Sequence, residues 1–100
     1  MAELATIARP YAEALFRATA PELAPSLVAP LQQLAQIASE ARLREFADNP
    51  KVSARQVGEL ILGVLPAPLP AALQNLLQVV LENRRLGALG EVATQYQELV

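Results

Sequence analysis

Neither cysteine nor histidine occurs anywhere in this chain. Their absence removes disulfides, thiolate nucleophiles and zinc–cysteine centres, and with them the usual general base and the commonest metal ligand. Stability must therefore come from packing, and the ordinary parts of an active site are missing. Tryptophan is absent too, and aromatic residues make up only 4% of the chain. Charged residues are sparse at 18%, with a net charge of −2. That balance excludes a phosphate-tracking surface and the basic-plus-aromatic pattern of nucleic-acid readers. No apolar run reaches the ~18–20 residues that cross a bilayer. The longest candidate, residues 73–81, is interrupted by Gln74, Asn75 and Gln78. Glu3 follows Met1 closely, with no basic region before the apolar residues, so no secretory leader is expected. A soluble protein of a reducing compartment is the expectation.

What is present is alanine and leucine. They dominate an apolar share of 53%, and both are strong helix formers. One hundred residues suffice for a single domain with a modest core. Eight prolines punctuate the chain, and between them the apolar period is near 3.6 rather than 2. A first helix is expected over residues 4–18. Leu4, Ile7, Ala8, Tyr11, Leu15 and Ala18 keep one phase across Pro10, which favours a continuous helix over one that starts at the proline. The second begins between Glu22 and Leu31, where Pro21, Pro25 and Pro30 blur its start, and carries Leu31, Leu34, Ala35, Ile37 and Ala38. A short third spans residues 41–47 and ends at Asp48-Asn49-Pro50.

Ser53 is suited to N-cap a fourth helix over residues 54–65, accepting the N–H of residue 55 or 56. Val57, Ile61, Val64 and Leu65 would be its core positions. Residues 66–70 hold three prolines and form a stiff extended connection, with Pro70 suited to the next first turn. The fifth helix, residues 70–83, carries Leu73, Leu76, Leu77, Val80 and Leu81. Asn83, Arg84 and Arg85 close it, with cations at the negative end of its dipole. The sixth, residues 86–99, carries Leu89, Val92, Ala93, Tyr96 and Leu99. No alternation of the strand type is found. The expected fold is all-α, a compact bundle of six helices forming one domain over residues 1–100.

The remaining polar features do not assemble a chemistry. Glu40, Arg42, Arg44 and Glu45 read as a solvated surface with weak local ion pairs. Glu13 and Glu82 lack any partner that would make them an acid–base pair. Gly87 and Gly90 open a helix and make no phosphate cradle. Tyr11 and Tyr96 read as core residues with a wet hydroxyl. No catalytic residue, metal ligand or cofactor is expected, and an enzyme is disfavoured.

The apolar surface is more informative. At about 100° per residue, the apolar set of the first helix, from Leu4 to Phe16, sweeps roughly 200°, about twice what one core requires. The fifth helix, from Leu69 to Leu81, does the same. Two such neighbours can form a groove for a partner helix. The fourth helix (Val57, Leu60, Ile61, Leu62, Val64 and Leu65) is as wide, and any central bundle helix is apolar nearly all round. Periodicity therefore leaves the helix pair open.

Three stretches resemble a known family. Residues 8–16 (ARPYAEALF) are similar to the opening motif of the delta subunits of F-type ATP synthases, counterparts of the mitochondrial oligomycin-sensitivity-conferring protein. Residues 74–86 (QNLLQVVLENRRL) match a leucine-glutamate-asparagine-x-arginine-leucine run, and Asp48-Asn49-Pro50 with Ser53 looks like the turn before the family's fourth helix. The resemblance covers the N-terminal part of the family and implies a longer subunit whose C-terminal part, absent here, meets b-type stalk subunits. The proline-rich second helix, with Pro25 and Pro30, departs from the pattern.

The resemblance implies a non-catalytic stator adaptor at the top of the catalytic head, peripheral at the cytoplasmic face of a bacterial inner membrane. It also implies the helix pair: a groove between the first and fifth helices that takes the N-terminal amphipathic helix of an alpha subunit. Carried over by residue, Ile7, Tyr11, Ala14 and Leu15 would face that helix from one side, and Leu76, Val79 and Asn83 from the other. Neither nucleic acid nor membrane insertion is implied. The competing reading is a generic helical interaction module with another helical partner.

Overall fold

Proline sets the tempo of the chain, and the computed structural model, which describes residues 2–100, shows how each one is accommodated. Helix α1 (Ala2–Ala18) runs through Pro10 without a break. Pro10 lies on an exposed face of the helix, where its ring meets solvent rather than a packed neighbour. Pro25 sits in a 3-10 turn, Ala24–Leu27, that leads directly into α2 (Val28–Ala38). Pro30 falls in the first turn of α2, where the backbone N–H groups have no helical partner and a missing one costs little. The blurred start of the second helix is thus two short elements joined end to end.

Helix α3 (Ala41–Asp48) leads into a turn in which Asn49 Oδ1 accepts the Lys51 N–H at 2.9 Å. Helix α4 (Ala54–Val64) begins at Ser53 as expected. Ser53 Oγ accepts the Gln56 N–H at 3.1 Å, and Gln56 Oε1 accepts the Ser53 N–H at 2.8 Å. This reciprocal capping box satisfies two backbone donors at once. After the extended 66–70 connection, α5 (Ala71–Glu82) is N-capped by Pro70, which therefore lies just outside the first turn.

The end of α5 is a Schellman turn: Arg84 N–H donates to Leu81 O at 3.1 Å and Arg85 N–H to Val80 O at 2.8 Å. Arg84 takes the left-handed conformation this requires, with φ of 57°. A 3-10 turn, Leu86–Ala88, then leads into α6 (Leu89–Leu99). The described residues hold six α-helices and no strand, with a radius of gyration of 12.7 Å. A single compact domain of this length has about 13 Å.

The core is continuous. Leu31, Leu34, Ile61, Leu73, Leu77, Val80, Leu89, Val92 and Tyr96 are essentially inaccessible. Helix α1 packs most extensively on α6, and its contact side is Ala8 and Ala12, both 0% exposed, with Leu15. Alanines at that crossing let the two backbones approach closely. Phe16 meets Tyr96 edge-on, ring centroids 6.3 Å apart.

Several expectations are corrected. Val64, the last residue of α4, is 57% exposed rather than core: it lines an open hollow with Ile37, Leu43 and Phe46, while Ile61 in the same turn takes the buried position. Leu99 is 40% exposed at the end of α6. The Tyr96 hydroxyl is dry: it donates to the buried Ala24 carbonyl at 3.0 Å, tying α6 to the turn before α2. Burial raises its pKa above the ordinary value, an effect partly offset by a hydrogen bond with the Thr19 side chain. Glu40, Arg42, Arg44 and Glu45 are all exposed, but the ion pair among the described residues is Arg55–Glu59 on α4, at 3.5 Å. No described helix is long and apolar enough to cross a membrane.

A candidate groove between the first and fifth helices

Helices α1 and α5 are neighbours in the bundle. The seam follows from helical geometry: residues three and four apart share a face. On α1 that places Ile7, Tyr11 and Ala14 along one edge, with Leu15 inward of it. On α5 it places Leu76, Val79 and Asn83 along the facing edge. Burial grades across these positions. Leu15 and Leu76 are core residues, 5% and 8% exposed. Ile7 and Tyr11 are half-buried and pack against the core cluster. Ala14 and Asn83 are exposed, and Val79 leaves 45% of its surface in solvent.

One direct bond joins the two edges. Asn83, the C-cap residue of α5, donates from Nδ2 to the Tyr11 Oη at 3.0 Å. The structure thus brings Tyr11 and Asn83 into contact and buries Leu15 and Leu76 in the core. Ala14 and Val79 remain on the surface. The bridge could not be read from the sequence, since it links residues 72 apart with no local signal. Leu4, 40% exposed on α1, adds to the apolar surface of that helix.

Two other hollows compete for attention. Ile37, Leu43, Phe46, Leu60 and Val64 line an apolar one of about 460 Å³ between α2, α3 and α4. Phe46, Leu60 and Val64 there are 37%, 45% and 57% exposed, so surplus apolar surface by itself does not select α1 and α5. The other, about 560 Å³, lies beside the start of α4 and mixes Arg44, Lys51 and Arg84 with Asp48 and Glu82. Its signs are interleaved, and Glu13 lies in a different hollow, between α1 and α6, so Glu13 and Glu82 are not brought together. Gly87 lies under the Arg44 guanidinium, which would be 2.9 Å from a Cβ placed there. Gly90 has open space around it.

Among the described residues no group of three or more carboxylates could hold a metal ion. Buried side-chain polar atoms there all have partners, so no orphaned group waits for a ligand. A small helical bundle with exposed apolar side chains on several of its helices is the class of protein that the fold defines.

A profile of the family described as "ATP synthase delta (OSCP) subunit" matches residues 7–100. The "ATP synthase subunit delta" of Paracidovorax citrulli is 52% identical over 103 residues, covering 100% of this chain and 57% of that protein. That of Methylibium petroleiphilum is 52% identical over 100 residues, covering 100% of this chain and 56% of the relative. That of Delftia acidovorans is 51% identical over 102 residues, with 100% and 57% covered. The chain belongs to the ATP synthase delta (OSCP) subunit family. It spans a little over half the length of these curated relatives.

Proposed function

We propose that this chain is the N-terminal helical domain of a delta subunit, a non-catalytic adaptor in the peripheral stalk of an F-type ATP synthase. In this reading it binds the N-terminal amphipathic helix of an alpha subunit between α1 and α5 and so links the catalytic head to the stalk. The b-type stalk subunits are reached through the part of a full-length subunit that lies outside this chain. In this reading the domain lies peripherally, at the cytoplasmic face of a bacterial inner membrane.

Family membership supports the complex, and one observation supports the surface. Val79 and Ala14 lie exposed on the two helices whose edges the Tyr11–Asn83 bond joins, above the buried Leu15 and Leu76. An amphipathic helix laid there buries its apolar stripe on apolar walls. Ala14, with no side chain beyond Cβ, lets the guest backbone come close.

The second reading, a different helical partner, is favoured by the α2–α4 hollow with its exposed Phe46, Leu60 and Val64. Titration of the chain with a synthetic alpha N-terminal peptide, followed by backbone amide chemical shifts, separates the two. Shifts clustered on residues 4–18 and 72–83 support the groove. Shifts clustered on α2, α3 and α4 transfer the site to the second hollow, and no shifts at all remove the alpha helix as partner.

A further inference from the structure

Within an apolar seam, the Tyr11–Asn83 bridge is a polar fixture whose hydrogen-bonding capacity is only partly used. The bond engages one Nδ2 hydrogen of Asn83 and one lone pair of the Tyr11 oxygen. It leaves the phenolic hydrogen, the second Nδ2 hydrogen and the Asn83 carbonyl oxygen for a third group. Asn83 is exposed and Tyr11 half-buried, and the bond between them is open to solvent.

We infer that Tyr11 and Asn83 together set the register of the docked helix by hydrogen-bonding one polar, uncharged or carboxylate side chain on its buried face. This rests on the proposed groove and adds a specificity element to it. Covering the pair with a purely apolar stripe would strip water from two donors and an acceptor and leave all three unsatisfied. A guest side chain that both donates and accepts, such as glutamine, restores bonds of both kinds, and one that only accepts, such as glutamate, restores those from the phenolic and amide hydrogens. Apolar walls of Ile7, Ala14 and Val79 tolerate a helix slid by one turn or reversed, because burial of apolar area is non-directional. A single buried polar contact is not tolerant in that way. It penalises every register but one, as a lone buried asparagine does in a coiled coil.

The test uses the intact chain, the synthetic alpha N-terminal peptide and calorimetric titration. Tyr11→Phe and Asn83→Leu are each expected to weaken binding about five- to tenfold, the loss of one hydrogen bond with its partner left buried. Against a set of peptides in which each polar residue is changed in turn to alanine, one peptide should lose affinity for the wild-type chain but not lose more on Tyr11→Phe. That non-additivity marks the guest side chain directly, and a merely structural role for the bridge would weaken all peptides alike. Ala14→Asp is the control for the groove. If Ala14→Asp abolishes binding while Tyr11→Phe and Asn83→Leu bind as wild type, the groove stands and the register inference is overturned. If Ala14→Asp also binds as wild type, the groove itself is wrong and the inference falls with it. Thermal unfolding of each variant confirms that the bundle persists.

Discussion

Asn83 donates a hydrogen bond to Tyr11 across 72 residues of sequence, joining the C-terminal cap of α5 to the middle of α1. Both residues lie in segments that resemble the family's motifs, and the bond gives their separate positions a common purpose. It joins the edges of the two helices between which a partner helix is proposed to lie, while Leu15 and Leu76 of the same helices are buried in the core.

Because Ala14 and Val79 are exposed, charging them should leave the fold intact and damage only docking. Ala14→Asp and Val79→Asp are each expected to change stability by less than about 0.5 kcal/mol, in line with other surface changes. Both should weaken the alpha N-terminal peptide by tenfold or more, as a buried unpaired carboxylate would. Circular-dichroism melts together with calorimetric titration check the pair of outcomes; unchanged affinity in both variants removes the groove.

The capping box at the start of α4 carries a measurable share of stability. Ser53→Ala removes the oxygen that accepts the Gln56 N–H and is expected to cost about 1 kcal/mol. For a domain this small that lowers the melting temperature by roughly 4–8 °C. Ser53→Asp, which keeps an acceptor and adds a negative charge at the helix N-terminus, should retain the stability.

Core truncation should be far more damaging than surface truncation of similar size. Leu73, 0% exposed on α5, is expected to cost about 2–5 kcal/mol as Leu73→Ala. Leu60→Ala, on a side chain 45% exposed, should cost much less. Urea unfolding of the two variants measures the difference, and equal losses would contradict the placement of the core.

The Tyr96 hydroxyl links α6 to the turn before α2, and its loss should be felt. Tyr96→Phe keeps the ring but leaves the buried Ala24 carbonyl without its donor, a cost of about 1–3 kcal/mol. The pKa of Tyr96 is raised by burial above its ordinary 10.0, so the neutral hydroxyl is the form the fold holds. Its contribution is fully present below that pH and is lost as pH rises through the higher folded-state value. Wild-type stability should therefore fall in strong alkali, and this component of the fall should be absent from Tyr96→Phe.

Arg84 occupies a left-handed position usually given to glycine. Arg84→Gly relieves a conformational cost of about 1 kcal/mol in the folded state, against a somewhat smaller entropic gain of the unfolded chain. A rise of a few degrees in melting temperature is expected. A clear fall would mean that the Arg84 side chain contributes more through the hollow it lines than its backbone costs.

Much of this architecture was legible in advance for local reasons. A helix is stabilised within itself, so its period, its cap at Ser53 and its tolerance of Pro10 are written into neighbouring residues. The five core leucines and valines of α5, from Leu73 to Leu81, follow from spacing, and all five are buried. Boundaries failed where they depended on something else. Pro25 and Pro30 could not be sorted into a 3-10 turn and a helix start from local preference, since both conformations admit proline there. Val64 has the spacing of a core residue, but whether the bundle extends far enough to cover it is not a local property.

Six amphipathic helices, a core built without Asp, Glu, Lys or Arg and a family likeness carried by three short stretches were therefore determined by the sequence alone. Tertiary structure decided which apolar edges stayed uncovered, that the Tyr96 hydroxyl is dry, and that Tyr11 meets Asn83. The physical reason is one of range. Helical hydrogen bonds close over four residues and leave a periodic trace, whereas burial and cross-helix contact depend on how the helices lie against each other, and that arrangement leaves no period to read.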